Sequence, residues 1–492
     1  LVAADLEAGA GTRFLDTTNW PWPMAVAATG EPSLAERQGR IVAEEALAIG
    51  VNQIYAPVAD VNLEPANPVI NVRSYGEDPE DVARFVSAFV RGVQAGGVLA
   101  TVKHFPGHGD TRTDSHRSLP VLRADRARLE RVELVPFRAA IAEGVGAVMT
   151  AHLSLPGIDP TPAPRRALAP GENPYTNDVS EVARDATVPA SMSPAIVEDL
   201  LRKELGFKGL VVTDALDMGG IVDHFDPSEA AVRAILAGAD QVIKSADTDA
   251  AIAGVRRAVA DGRIPAEVLD RAVARVFEAK RRFPAAIPDL EAAFHVVDSP
   301  EHRALADEIA RRAVTLVREA PAVLPLARST RLVHVVVSDA PAANPPGSDF
   351  GRALAARLAS PPQTFFLDPK SRAEEVEPIR DAASNADVML VSLFVRVRTG
   401  SGRLVLPEAA RAAIETLAAS GAKLVGVSFG NPYLAAELPG LATYVAAYGD
   451  QPVMQSAVAR ALFGEAEITG RLPVTIPGVA ERGSGIVKAR PR

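Results

Sequence analysis

Three histidines, one lysine and two aspartates fall within the fourteen residues KHFPGHGDTRTDSH, 103 to 116, in a chain of 492 that has eight histidines in all. Three kinds of chemistry suit such a cluster. A metal site would use His104, His108, Asp110 and His116, but the spacings of four, two and six residues lie on a glycine- and proline-rich loop. An adjacent Lys103 would also repel a cation. A structural role, in which the side chains satisfy loop backbone groups, is as natural for His108 as a functional one. Proton transfer fits the Asp114-x-His116 pair. The carboxylate can accept a hydrogen bond from one imidazole nitrogen, fix the tautomer and raise the ring's basicity, leaving the other nitrogen for a substrate.

A proton-transfer histidine needs a partner across the site. The stretch GLVVTDALDMGGI supplies Asp214 at the end of an apolar run. A carboxylate there can act as a nucleophile that forms a covalent intermediate. It can equally cap the following helix, where Asp is favoured. Asp217, three residues on, reads as part of that helix and is the weaker candidate.

The elements that must position these groups are βα repeats. Between residue 1 and about 285, seven apolar runs alternate with helical patterns: LVAAD at 1, IYAPVADV at 54, VLATVKHF at 98, AVMTAH at 147, PASMS at 189, LVVTDAL at 210 and DQVIKS at 240. Continuous hydrophobicity predicts parallel strands covered on both faces. Polar residues gather at the carboxyl ends of these runs, at Asp5, Asp60, Lys103, His104, His152 and Asp214, the edge where (β/α)8 barrels build their active sites. The reading is an α/β protein: a TIM-type (β/α)8 barrel over 1–285 lacking its first βα unit, with a segment expected upstream of Leu1. A proline-broken linker follows over 286–305. An α/β sandwich domain over 306–478 comes next, with strands at LVHVVVS, ADVMLVSLFV, KLVGVSFG and ATYVAAYG after a helix ALADEIARRAVTLVRE. A basic, loosely held tail occupies 479–492.

Composition narrows the partners. With 52 basic against 61 acidic residues, the net charge is −9 and no basic block is long enough to track a nucleic acid. No run of eighteen apolar residues is present, so no membrane span is expected. The chain has no cysteine, which removes disulfides, thiolate metal sites and a cysteine nucleophile.

The loop from Lys103 to His116, together with APVADVN (56–62), NVRSYGEDP (71–79), VVTDALDM (211–218), SFGNPYL and ALFGEAEITGRLPVTIP, resembles glycoside hydrolase family 3, in its β-N-acetylglucosaminidase branch. The resemblance spans nearly the whole chain. It implies Asp214 as nucleophile, His116 as general acid/base oriented by Asp114, and Asp5, Arg73, Lys103 and His104 as ligands of the sugar's hydroxyls, with no metal or organic cofactor. The implied activity is a retaining exo-β-N-acetylglucosaminidase acting on peptidoglycan- or chitin-derived sugars. A neutral imidazole does not repel an anionic acceptor, so phosphorolysis at the same site is an alternative. The family's glycosidic loop is altered to DLEAGAGTR: Asp5, Glu7, Gly9 and Arg13 remain, whereas Ala8 and Ala10 stand where a glycine and an arginine are usual. That change motivates a second alternative, a sugar-binding protein with impaired catalysis.

Overall fold

Why the first half of the chain folds as it does is clearest at the helix Pro79–Ala95. Asp78 caps it by accepting from the Asp81 N–H, Pro79 sits at its first position, and Val82, Phe85, Val86, Phe89, Val90 and Val93 form one buried stripe. A Cβ at Gly92 would lie 2.0 Å from the Glu36 carbonyl, so glycine is what lets the neighbouring helix pack so closely. The computed structural model describes residues 1–491 except 169–170, 177–182, 184, 284–288, 322, 342–344, 399, 403 and 420. The chain divides into two units. Leu1–Arg13, Ala35–Val297 and Arg398–Arg403 make the first; Phe14–Leu34, Asp298–Val397 and Leu404–Arg492 make the second.

The first unit is built on six parallel strands in chain order, β1 (Ala3–Ala4), β2 (Gln53–Ile54), β3 (Leu99–Phe105), β4 (Ala147–Thr150), β5 (Leu210–Ala215) and β6 (Gln241–Ile243). The Gln53 amide of β2 donates to Gln241 of β6 at 3.2 Å. These strands stand four places apart, roughly 19 Å in a flat sheet. The sheet is therefore curled, as in a (β/α) barrel. The run PASMS, expected to be a strand, is instead a turn of 3₁₀ helix over Ala190–Met192. Pro189 brings no N–H to a ladder, its carbonyl accepts from Met192 at 2.7 Å, and the Ser191 hydroxyl is committed to His152.

The second unit holds a six-stranded sheet in the order β7 (Thr315–Arg318), β12 (Thr443–Ala446), β11 (Leu424–Ser428), β10 (Val388–Phe394), β8 (Leu332–Ser338) and β9 (Gln363–Leu367), parallel except for β7. Strands β8, β10 and β11 are buried throughout, as their apolar runs predict. Phe394 and Phe350 both pack on Phe429, at centroid distances of 4.8 and 4.9 Å. Two strands were not foreseen. β7 lies inside the segment read as one long helix, which ends at Ala313; the Arg318 guanidinium then donates to the carbonyls of Leu441, Ala435 and Leu438 and pins it beside β12. β9 is an edge strand with three of its five residues exposed, so it shows no buried pattern. The segment expected to be a loose tail pairs instead, Ile486 with Leu316 and Lys488 with Ile468. Part of the expected linker, 286–288, lies outside the described residues.

Candidate active site

Two breaks in sheet pairing fall on the residues the sequence singled out. β3 pairs with β4 through Thr101 and Val102 and resumes at Phe105, so Lys103 and His104 occupy the irregularity. β5 pairs with β6 at Val212 and resumes at Ala215, skipping Thr213 and Asp214. Such irregularities re-aim side chains that a regular pleat would point into a layer of the core.

Lys103 is 2% exposed, and its ammonium reaches Asp5 Oδ1 at 2.8 Å and Glu7 Oε1 at 2.6 Å. Glu7 in turn takes a bidentate pair from Arg73, Nε to Oε2 at 2.8 Å and Nη2 to Oε1 at 2.7 Å. Arg73 Nη2 also lies 3.5 Å from His104 Nε2. Burial pushes the Glu7 carboxyl up, but the Arg73 and Lys103 charges outweigh it and hold it far below the usual carboxylate range. The four expected sugar ligands, Asp5, Arg73, Lys103 and His104, thus form one connected cluster. Its hub, Glu7, was noted in the sequence only as a residue that remains.

Behind it lies a second buried carboxylate. Asp60 Oδ2 meets His104 Nδ1 at 2.7 Å, while Oδ1 accepts the backbone N–H groups of His104 at 3.2 Å and His108 at 2.7 Å. The proton between Asp60 and His104 is thereby placed on Nδ1, leaving Nε2 toward Arg73. His108 is buried, with Nδ1 at 2.9 Å from the Thr111 hydroxyl, and desolvation lowers its pKa to about 4. Through Thr111 it is tied to its own loop, and its ring stands edge-on to His104 at 6.2 Å.

His116 is held as the Asp-x-His pattern predicts. Asp114 Oδ1 accepts from both the His116 N–H and Nδ1 at 2.9 Å, and Oδ2 accepts from the Gly402 N–H at 3.1 Å. Burial pushes the Asp114 carboxyl up, yet the bonds from His116 more than offset it and the net shift is downward. The same loop is fastened to the chain that follows β5: the Gly219 N–H donates to the His116 carbonyl at 2.7 Å and Gly220 N–H to the Ser115 carbonyl at 3.0 Å. A Cβ at Gly219 would sit 2.2 Å from the Arg117 carbonyl, so this docking requires glycine.

Asp214 is half-buried at the end of β5, and its Oδ1 accepts the Ala215 N–H at 2.8 Å. Burial raises its pKa, but His104, His152 and His116 and the Ala215 N–H overcome that and hold it at about 2. A carboxylate so far below neutral pH is ionised and in the form that attacks an electrophile. Asp217 instead pairs with Lys244 at 2.9 Å, which gives that lysine a role the sequence did not. His152, bonded to Ser191 and the Ala215 carbonyl, was visible in the sequence only as a polar strand end. The rule that marked Asp214 and Lys103 marks Asp60 and His152 equally, and nothing in the sequence separates first contact from support. Among the described residues, no three His, Asp or Glu side chains converge as a metal-ligand set.

Residues 1–279 match the Glycosyl hydrolase family 3 N terminal domain, and residues 314–488 match the Glycosyl hydrolase family 3 C-terminal domain. The Beta-N-acetylglucosaminidase/beta-glucosidase of Cellulomonas fimi is 33% identical over 96% of this chain and 83% of its own length. Among solved structures, a family 3 beta-N-acetylglucosaminidase from Paenibacillus sp. str. FPU-7 superposes with a TM-score of 0.83 at 34% identity, covering 97% of this chain and 86% of that one. A beta-glucoside phosphorylase superposes with the same TM-score, 0.83, at 26% identity, over 97% of this chain and 84% of the other. On both matched domains and a relative similar across nearly its whole length, the chain belongs to glycosyl hydrolase family 3.

Proposed function

We propose that this chain is a retaining exo-β-N-acetylglucosaminidase that releases terminal N-acetylglucosamine from peptidoglycan- or chitin-derived sugars. The observation that carries the reading is the fastening of the His116 loop to the backbone just beyond β5, at Gly219 and Gly220, which puts an imidazole tied to Asp114 and an ionised Asp214 at one strand edge. In this reading Asp214 attacks the anomeric carbon while His116 Nε2–H protonates the departing oxygen. A glycosyl-enzyme forms; His116 then takes a proton from water, which displaces Asp214 and restores the β configuration. Most retaining glycosidases divide these tasks between two carboxylates. Here an imidazole takes the second place, and Asp114 holds the proton on Nδ1 only through the bond that orients the ring. Asp5, Arg73, Lys103 and His104 are charged or carboxylate-backed partners for sugar hydroxyls, stronger than neutral ones. The relatives named for action on N-acetylglucosaminides support the substrate class.

A second reading, phosphorolysis, is favoured by the similarity to the phosphorylase and by an acid/base that is uncharged when deprotonated. One assay separates them. Aryl β-N-acetylglucosaminide and aryl β-glucoside are compared with and without millimolar phosphate. Hydrolysis of the N-acetylglucosaminide with free β-configured sugar as first product is expected. Turnover of the glucoside alone would overturn the substrate, and sugar 1-phosphate as the main product would overturn hydrolysis.

A further inference from the structure

The short excursion Arg398–Arg403 belongs by its contacts to the first unit, though it lies about 280 residues after the loop it touches. We propose that this excursion is a positioning segment for proton transfer: the Gly402 N–H fixes the second oxygen of Asp114 and through it the plane of the His116 ring. The inference rests on the acid/base role given to His116 above.

Asp114 is almost fully buried, its side chain 1% exposed, so each carboxylate oxygen needs a donor from the protein. Oδ1 is supplied twice by His116, and the donor to Oδ2 is Gly402, at 3.1 Å. A carboxylate held at one oxygen only can swing about its Cβ–Cγ bond and carry the imidazole with it; held at both, it cannot. The surroundings are built to keep that N–H in place. Gly402 has φ +75°, and a Cβ there would meet Arg117 Cδ at 2.7 Å and Nε at 2.9 Å. Gly400 has φ +71°, and its Cβ would lie 2.5 Å from Tyr175 Cδ1. Both positions therefore demand glycine for backbone conformation and for space. Arg117 ties the pieces together: its Nη1 donates to the carbonyls of Tyr175 and Gly400, at 3.4 and 3.5 Å, and its Nη2 to the Thr176 hydroxyl at 3.1 Å. The Tyr175 ring stands edge-on to His116 at 5.4 Å. Gly402, Arg117 and Tyr175 thus brace the Asp114–His116 pair.

The test exploits the fact that a very acidic leaving group departs without a proton, whereas a poor one needs the general acid. Two aryl β-N-acetylglucosaminides, a dinitrophenyl and an unsubstituted phenyl glycoside, are assayed with wild type, Gly402→Ala and a chain carrying an ester in place of the 401–402 amide, which deletes only the N–H. The ratio of kcat/KM between the two substrates is expected to move by about tenfold or more in both variants, against the phenyl glycoside, a fraction of the 10²–10⁴ that general acid catalysis contributes. Equal losses on both substrates, or none, would overturn the inference. A wild-type chain that hydrolyses neither glycoside contradicts the functional reading itself, so the two failures are distinguishable.

Discussion

At the carboxyl ends of its strands the first unit buries Glu7, Asp60, Lys103 and His104; at the corresponding edge the second unit buries Ser338, Ser428 and Asn431. Both sheets are dominated by parallel strands under helices, so architecture alone does not separate them. Among the charged groups near the second edge, Arg396 pairs with Asp450. Its buried hydroxyls are satisfied locally, Ser428 by the Asn431 carbonyl at 2.6 Å and Ser338 by the Ala340 carbonyl at 2.8 Å. Withdrawing ions from water costs several kcal/mol each, and a mutually bonded cluster recovers that only with good geometry. The first unit carries this cost at one edge, and the result is a set of mutually bonded polar groups that, under the proposed function, need no rearrangement to hold a sugar. What differs between the two units is the chemistry of a strand edge rather than the sheet beneath it.

The comparison breaks most sharply at Asp214. Asp214→Ala is expected to lower kcat by at least about 10⁴-fold with the thermal midpoint retained, as loss of a covalent nucleophile does; the check is turnover of an aryl N-acetylglucosaminide alongside a melting curve. Asp114→Asn is expected to cost about 10²–10³ in kcat/KM on poor leaving groups, because the amide can still bond His116 but no longer favours its charged form. Asp60→Asn tests the support behind the proposed sugar ligands. It leaves His104 without its anionic partner, and roughly a tenfold rise in KM is expected together with a loss of about 3 kcal/mol in denaturant unfolding. Ser338→Ala at the second edge is expected to leave kcat/KM within about twofold, because that hydroxyl bonds only the nearby backbone at Ala340.

A pH series sharpens the contrast in stability. His334 lies in the core of the second unit, its Nε2 at 2.8 Å from the Ser392 hydroxyl, and desolvation lowers its pKa to about 4. Between the ordinary histidine value and that lowered one the unfolded chain binds the proton and the folded one does not. Stability is therefore full above about pH 6.5 and falls as pH drops toward 4, by roughly 3 kcal/mol at most. His334→Gln is expected to flatten that slope, measured as the unfolding midpoint between pH 7 and pH 4.5. Asp60, whose carboxyl is lowered on balance by His104 and the His108 N–H against the opposing pull of burial, acts in a more acid window. Its contribution is present above the unfolded carboxylate value and is lost as pH falls through the folded one.

Much of this was legible in the sequence because strand ends and loop breakers are local signals. Continuous apolar runs gave β3, β5, β8, β10 and β11, and Asp114-x-His116 predicted its own hydrogen bond. What stayed hidden depends on distant partners. PASMS has strand composition, but Pro189 and the bond from Ser191 to His152 turn it into a 3₁₀ turn. β7 looks helical until Arg318 finds three carbonyls more than a hundred residues away. Glu7 and Asp60 gain meaning only from the Lys103, Arg73 and His104 side chains that fold against them, and the Gly402 bond to Asp114 joins residues 288 apart. None of these pairings leaves a periodic trace.

The most direct test of the account is to trap the intermediate. The wild-type protein is incubated with a 5-fluoro derivative of N-acetylglucosaminyl fluoride, which forms a glycosyl-enzyme faster than water can remove it, digested and sequenced by mass spectrometry. A sugar adduct on Asp214 is the predicted result. An adduct on Asp217 or another side chain, or sustained turnover with no adduct on any residue, would contradict it.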